Sequence, residues 1–210
     1  MSATRKNDEE TFEELRRALL ANPDSAPLHY NMGLAHAKRG ELDEAVSEFK
    51  AALELNPGMV EAHINLGGIY FRKGNIEAAI EQNKQALEID PGYVNAYSNL
   101  GFLYVQQGRL GEGIEVYRRA LEIQKTSPQL HAHLGFAYLL SGEIDKAIEE
   151  NKKALSLAEG FSQAHNNLAL AYYQRGDIEA ARFHCQRAME LGFMVSSELR
   201  EALGVGTERR

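Results

Sequence analysis

The chain has 210 residues, 44% of them hydrophobic and 25% charged, with a formal net charge of −7. That composition is ordinary for a soluble protein, and its acidic sign argues against non-specific nucleic-acid binding, which needs a clustered basic face. A lone cysteine, Cys185, excludes an internal disulfide and gives no sign of an oxidising compartment.

The opening MSATRKNDEETFEELRR contains no apolar core of the secretory kind, and no run approaches the length of a membrane-spanning helix. A cytoplasmic protein without membrane insertion is expected. Residues 1–8 are polar and are expected to fray. From Glu9 to Ala21, Phe12, Leu15, Ala18 and Leu19 recur at helical spacing, and Asn22-Pro23 stops the run.

Beyond Ser25 the sequence repeats with a period of 34 residues. Gly33, Gly67, Gly101 and Gly135 share one position, with Ala169 completing the column. Ala52, Ala86, Ala120, Ala154 and Ala188 share a second, and Gly40, Gly74, Gly108, Gly142 and Gly176 a third. Five copies follow, 26–59, 60–93, 94–127, 128–161 and 162–195, each numbered below from position 1 to 34. Every copy predicts a helix A, a turn at the invariant glycine, where a left-handed backbone is needed, and a helix B. Glu41, Asn75, Glu143 and Asp177 suit the start of helix B, with Arg109 as the exception. Pro57 and Pro91 are expected to end helix B in the first two copies. Lys125, Glu159 and Phe193 stand at that position later, which predicts looser or more continuous turns.

The flanks complete the array. Pro23 lies one period before Pro57, so residues 1–25 read as the second helix of a truncated repeat that covers the open face of the first copy. At the other end, 196–210 reads as a capping helix from Ser196 to Leu203, closed by Gly204, with a disordered tail from Val205.

In the copy 60–93, His63, Leu66, Gly67, Tyr70, Ala79, Asn83, Ala86 and Pro91 occupy signature positions of a known helix–turn–helix unit. The pattern resembles the tetratricopeptide repeat, over most of the chain and in register. That resemblance implies an all-α fold, a right-handed superhelix of five full repeats with a half-repeat in front and a capping helix behind. It also implies that the A helices line the concave side. Two columns depart from the family pattern. Position 4, usually Trp or another large residue, is His29, His63, His131 and His165, with Tyr97 in the third copy. Position 24, usually aromatic, is Asn83 and Asn151 in alternate copies. The resemblance places position 24 near position 4 of the following copy, so both asparagines are expected to be buried and hydrogen-bonded.

Angular bookkeeping at 100° per residue sets positions 3, 4, 7, 8, 10 and 11 of helix A on one side and 2, 5, 6, 9, 12 and 13 on the other. The second side is apolar too. Leu34, Ile64, Phe71, Phe102, Val105, Phe136, Leu139, Leu140, Leu170 and Tyr173 lie on it, whereas helix B carries charge on its outward face. Some of these residues would pack between neighbouring A helices. A contiguous apolar face points to a groove for another chain, with Phe71, Phe102, Phe136 and Tyr173 as its contacts.

Position 6 reads Asn31, Asn65, Asn99, His133 and Asn167. An amide both donates and accepts, so it suits a peptide backbone. With A helices about 10 Å apart and an extended chain advancing about 3.3 Å per residue, each Asn would meet roughly every third ligand residue. The column resembles the asparagine ladder of O-linked N-acetylglucosamine transferase and its relatives. The carboxylate clamp of chaperone-binding tetratricopeptide proteins fits poorly: Asn65 matches it, but Tyr30, Leu34, Asn95 and Asn99 replace its other members. Lys38 and Arg72 at position 13 remain as local attractors for an acidic ligand end.

The position-4 histidines do not make a metal site. Zinc ligands sit about 2.1 Å from one ion, whereas these side chains start about 10 Å apart. No phosphate loop, nucleophile elbow or metalloprotease motif occurs. The expectation is a non-enzymatic module without a cofactor that binds an extended or partly helical segment of a protein partner. The competing expectation is a scaffold that self-associates through its apolar face or its exposed repeat ends, as a homo-oligomer.

Overall fold

The computed structural model describes residues 3–206, with side chains from Glu9 onward. Among them are twelve α-helices: α1 Ala3–Ala21, α2 Ala26–Arg39, α3 Leu42–Leu55, α4 Val60–Arg72, α5 Ile76–Ile89, α6 Val94–Gln106, α7 Leu110–Ile123, α8 Pro128–Leu140, α9 Ile144–Leu157, α10 Ser162–Arg175, α11 Ile178–Glu190 and α12 Ser197–Leu203. The even-numbered helices from α2 to α10 are the A helices, and each is followed by its helix B. The fold is all-α, of the tetratricopeptide solenoid class.

Each A helix stops where the glycine column allows it. Gly40, Gly74, Gly108, Gly142 and Gly176 have φ of 81°, 77°, 72°, 80° and 85°, the left-handed backbone that costs a residue with a Cβ about 1–2 kcal/mol. The starts of the B helices are less uniform. Asn75 and Asp177 cap α5 and α11 by accepting from the Ala78 and Ala180 amides at 3.1 and 3.2 Å. The longer Glu41 and Glu143 make no cap bond. Glu41 instead accepts from Arg39 Nε at 2.9 Å, and Glu143 pairs with Lys146.

Proline does not decide where helix B ends. α3, α5, α7 and α9 end on Leu55, Ile89, Ile123 and Leu157, all at position 30, with or without a proline two residues on. In each case the next residue turns extended, from Asn56 (φ −142°, ψ 89°) to Ala158 (φ −149°, ψ 94°). The expected looser turns after α7 and α9 are absent, because the next A helix must fold back onto its neighbour whatever residue stands at position 32.

Both flanks also differ from expectation. The first helix begins at Ala3 rather than Glu9, and residues 1–2 lie outside the described residues. α12 is capped by Ser196, which accepts from the Leu199 amide at 3.4 Å, and closes at Gly204 with φ 63°. Val205, expected in a disordered tail, is buried and donates its N–H to the Arg200 carbonyl at 2.9 Å. Residues 207–210 lie outside the described residues.

The chain divides into two compact units, Met1–Ala96 and Tyr97–Arg210, the boundary falling in the first turn of α6. In the first unit Phe49 of α3 sits buried among Ala45, Leu66 and Ile69, so one pair of helices is sealed by the next. α1 covers α2, with the Phe12 ring edge-on to His36 at 5.1 Å and Arg39 over Phe12 at 4.3 Å. In the second unit the core runs from Leu139 and Ile148 through Leu168, Tyr172 and Cys185 to Val195, Leu199 and Leu203. α12 therefore closes the α10–α11 pair, held further by Arg182 Nε donating to the Leu203 carbonyl at 2.9 Å. Cys185 is fully buried, and burial pushes its thiol up from the ordinary value.

Candidate interaction faces

Position 8 and position 24 of one repeat meet. A Cβ on Gly33 would lie 2.8 Å from the Phe49 ring, one on Gly101 2.5 Å from Tyr117, and one on Gly135 2.2 Å from the Asn151 amide. Glycine there admits a large side chain between helix A and helix B. Asn83 and Asn151 are buried, and each donates to the carbonyl four residues back in its own helix, Ala79 at 2.8 Å and Ala147 at 2.7 Å. Such a bond stabilises by about 1 kcal/mol, whereas an orphaned amide costs about 1–3. The Asn151 side chain has its second partner at Asn167 of α10 and not at His165.

The position-4 histidines stitch three segments together. His29 Nδ1 lies 2.6 Å from the Glu48 carboxylate and Nε2 2.8 Å from the Pro23 carbonyl. Both partners are acceptors, so the geometry favours the imidazolium form, in which both ring nitrogens donate. Burial pushes this ring's pKa down, but Glu48 and the Pro23 carbonyl outweigh it and hold the value above the ordinary one. His131 Nδ1 lies 2.7 Å from the Glu150 carboxylate and Nε2 3.2 Å from the Lys125 carbonyl. His63 meets the Gln82 amide at 2.8 Å and the Pro57 carbonyl at 3.3 Å. His165 instead faces His184 at 2.9 Å and the Glu159 carbonyl at 3.1 Å. Burial lowers both, and with His165 and Lys152 beside it His184 falls to about 4. Among the described residues no three His, Cys, Asp or Glu converge on a metal-sized site. These imidazoles tie each inter-repeat turn to its own helix pair.

The second side of the A helices is only partly exposed. In the first unit Leu34 of α2 and Phe71 of α4 are exposed, as are Lys38 and Arg72. Arg72 turns back to donate to the Ala37 carbonyl at 3.2 Å. In the second unit Phe102, Leu140 and Tyr173 are 41%, 48% and 41% exposed. Leu139 is buried in the core, and Phe136 and Leu170 pack partly against it. That trio fills the space between neighbouring A helices.

The position-6 column is graded. Asn31 is exposed. Asn65 is half-buried and donates to Tyr30 Oη and to the Glu61 carbonyl, each at 2.9 Å. Asn99 is half-buried as well. His133 lies against the Tyr117 ring at 5.6 Å, its Nδ1 buried without a partner, and burial lowers its pKa. Asn167 departs from the ladder altogether: it is 2% exposed and donates at 3.0 Å to both the Ala132 carbonyl and Asn151 Oδ1. Asn151 at position 24 supplies the oxygen that position 6 of the next helix reaches, whereas Tyr117 presents a ring to His133. A uniform ladder of free amides is therefore not present. The 4/23, 8/24 and 24/6 contacts were missed in the sequence because they pair columns, and only the Asn/His irregularities within those columns signalled them.

Paired helices with glycine turns, sealed by side chains reaching from one pair to the next, define a helical-repeat protein of the interaction type. Family models described as tetratricopeptide repeat match residues 13–59, 30–94, 83–115, 128–161 and 162–192, and one described as TPR repeat matches 103–142. The chain belongs to the tetratricopeptide-repeat family. No curated protein sequence matches it significantly. Among solved structures, MamA is similar over 84% of this chain and 93% of its own, at 28% identity and TM-score 0.71. A MamA fragment from Desulfovibrio magneticus RS-1 matches over 79% and 94%, at 21% identity and TM-score 0.73. YrrB, described as a TPR protein with an unusual peptide-binding site, matches over 90% and 97%, at 19% identity and TM-score 0.72. The last two likenesses bear on the fold alone.

Proposed function

We propose that the protein is a non-enzymatic interaction module whose A-helix faces hold a segment of a partner protein. The observation that carries this is the second apolar side of the A helices, where Leu34, Phe71, Phe102, Leu140 and Tyr173 stay exposed after each unit has closed its core. Large apolar groups exposed on a helix face of each unit cost hydration until another chain covers them. Backbone holding by amides falls first to Asn31, the exposed member of the column, since Asn65 already donates both amide hydrogens to Tyr30 Oη and the Glu61 carbonyl. Lys38 and Arg72 border the first unit's face and favour an acidic neighbour there. The described helices include none long and apolar enough to cross a membrane.

The test is a double variant in the second unit, Phe102→Ala with Tyr173→Ala, beside Leu34→Ala with Phe71→Ala in the first. Co-purification of partners should fall about tenfold, a loss of about 1.4 kcal/mol, while the helical melt stays within a few degrees. Unchanged binding in both, or early unfolding of both, would remove the reading.

A second reading, self-association through the exposed side of α1, has one observation in its favour. Leu20 on α1 is 77% exposed beside a hollow of about 430 Å³ floored by Phe12, Leu19 and Met32. Light scattering against concentration separates the two: Leu20→Glu should dissociate such an oligomer.

A further inference from the structure

The second unit's face differs in kind from the first unit's. Between Tyr97 and Gln106 of α6, and throughout α8, the sequence has no Asp, Glu, Lys or Arg. α10 has one, Arg175, at its last residue. Arg175 is already engaged, 3.5 Å from Asp145, 3.6 Å from Asp177 and 4.8 Å over the Tyr172 ring. The titratable group on the face itself, His133, is pressed against Tyr117 and kept neutral by burial. The B helices of the same unit carry the charge instead: α9 alone has Asp145, Lys146, Glu149, Glu150, Lys152 and Lys153. The A helices of the first unit are not ion-free either, since Lys38, Glu61 and Arg72 stand on the corresponding positions of α2 and α4. An ion-free face is thus a property of α6, α8 and α10 and not a requirement of the repeat.

What remains on that face is Phe102, Leu140 and Tyr173, exposed, with the amides of Gln106, Gln129, Asn166 and Gln174 around them. A charged side chain docked there would lose part of its hydration and find no counter-charge to replace it. An apolar side chain loses nothing, and the surrounding amides offer both donors and acceptors to its peptide groups. From this match of chemistry, and resting on the groove reading above, we infer that the second unit's face takes an uncharged, apolar peptide segment of a partner protein and rejects acidic and basic ones. Selectivity then comes from the missing counter-charge, which penalises wrong partners more than it favours the right one. Binding gains nothing from electrostatic steering, so it is insensitive to salt.

The experiment is a selection of phage-displayed random peptides on the immobilised full-length chain, followed by fluorescence anisotropy of the enriched sequences. The expected outcome is enriched peptides depleted in Asp, Glu, Lys and Arg, with a Kd that changes less than about twofold when the salt is raised tenfold. That binding weakens about tenfold in Phe102→Ala with Tyr173→Ala. A second variant, Gln106→Lys with Gln174→Lys, alters two exposed positions outside the core and should redirect the selection toward acidic peptides. Two results overturn the inference. Acidic or basic peptides enriched on the wild-type chain and lost in the Phe102/Tyr173 variant would refute the charge selectivity and leave the groove standing. No enrichment at all, or enriched peptides indifferent to that variant, would refute the groove reading and this inference together.

Discussion

The pair α2–α3 in the first unit and the pair α10–α11 in the second are built on the same register and solve it with opposite chemistry. Where α2 has Gly33 opposite Phe49, α10 has Ala169 opposite Cys185. Where His29 meets a carboxylate, His165 meets a second imidazole. Asn31 is exposed, whereas Asn167 is buried against the preceding helices. The period fixes which positions touch. Volume and charge are then shared between the two partners, so a residue has meaning only with its opposite number.

Truncating the large partner gives the largest expected effect. Phe49→Ala empties a site with no solvent exposure and should cost about 3–5 kcal/mol. Cys185→Ala removes little more than a methyl group's volume and should cost about 1 kcal/mol. Equal losses in denaturant titrations would show that the two sites do not divide volume differently.

The small partner gives a smaller and asymmetric effect. Gly33→Ala pushes a Cβ to 2.8 Å from a fully buried ring. The strain outweighs the gain in helix propensity, for a net cost of about 1–2 kcal/mol. Ala169→Gly loses about 0.5–1 kcal/mol of helix propensity and about 0.8 kcal/mol more for its buried methyl, a loss without strain. A stabilised Gly33→Ala protein would mean that Phe49 shifts freely and that the close approach is incidental.

Titration gives the smallest effect, and the two pairs should respond in opposite directions. His29 is held above its ordinary pKa, so its contribution is fully present below the unfolded value of about 6.5 and is lost as pH rises through the folded value. His184 is lowered to about 4, so its contribution is present above about 6.5 and is lost as pH falls toward 4. Allowing for solvent screening, each is worth about 1 kcal/mol or less. NMR titration of the ring carbons should move His29 up and His184 down, and His184→Gln should flatten the acid limb of the stability curve. Two imidazoles titrating together near 6.5 would abolish the distinction.

Much of this molecule was legible one column at a time. The five glycine turns, the α12 cap and the apolar second side of the A helices follow from helical periodicity and from the left-handed backbone that glycine tolerates, both of which are local. The burial of Asn83 and Asn151 was legible as well, because a polar residue in an aromatic column must find a partner. The fate of position 6 was not. Asn31 and Asn167 are the same residue at the same place in the repeat, and sequence treats them alike. The tertiary structure separates them, since Asn167 is buried with the Ala132 carbonyl and, sixteen residues earlier, Asn151 Oδ1 as its acceptors. The ends of the B helices belong to the same class: proline at two of five sites suggested a local stop, yet α3, α5, α7 and α9 all end at position 30, where the next helix must return. Sequence set the period, the turns and the faces through local backbone and side-chain preferences. Which face residues remain exposed was decided by how much space the residue packed opposite each one leaves.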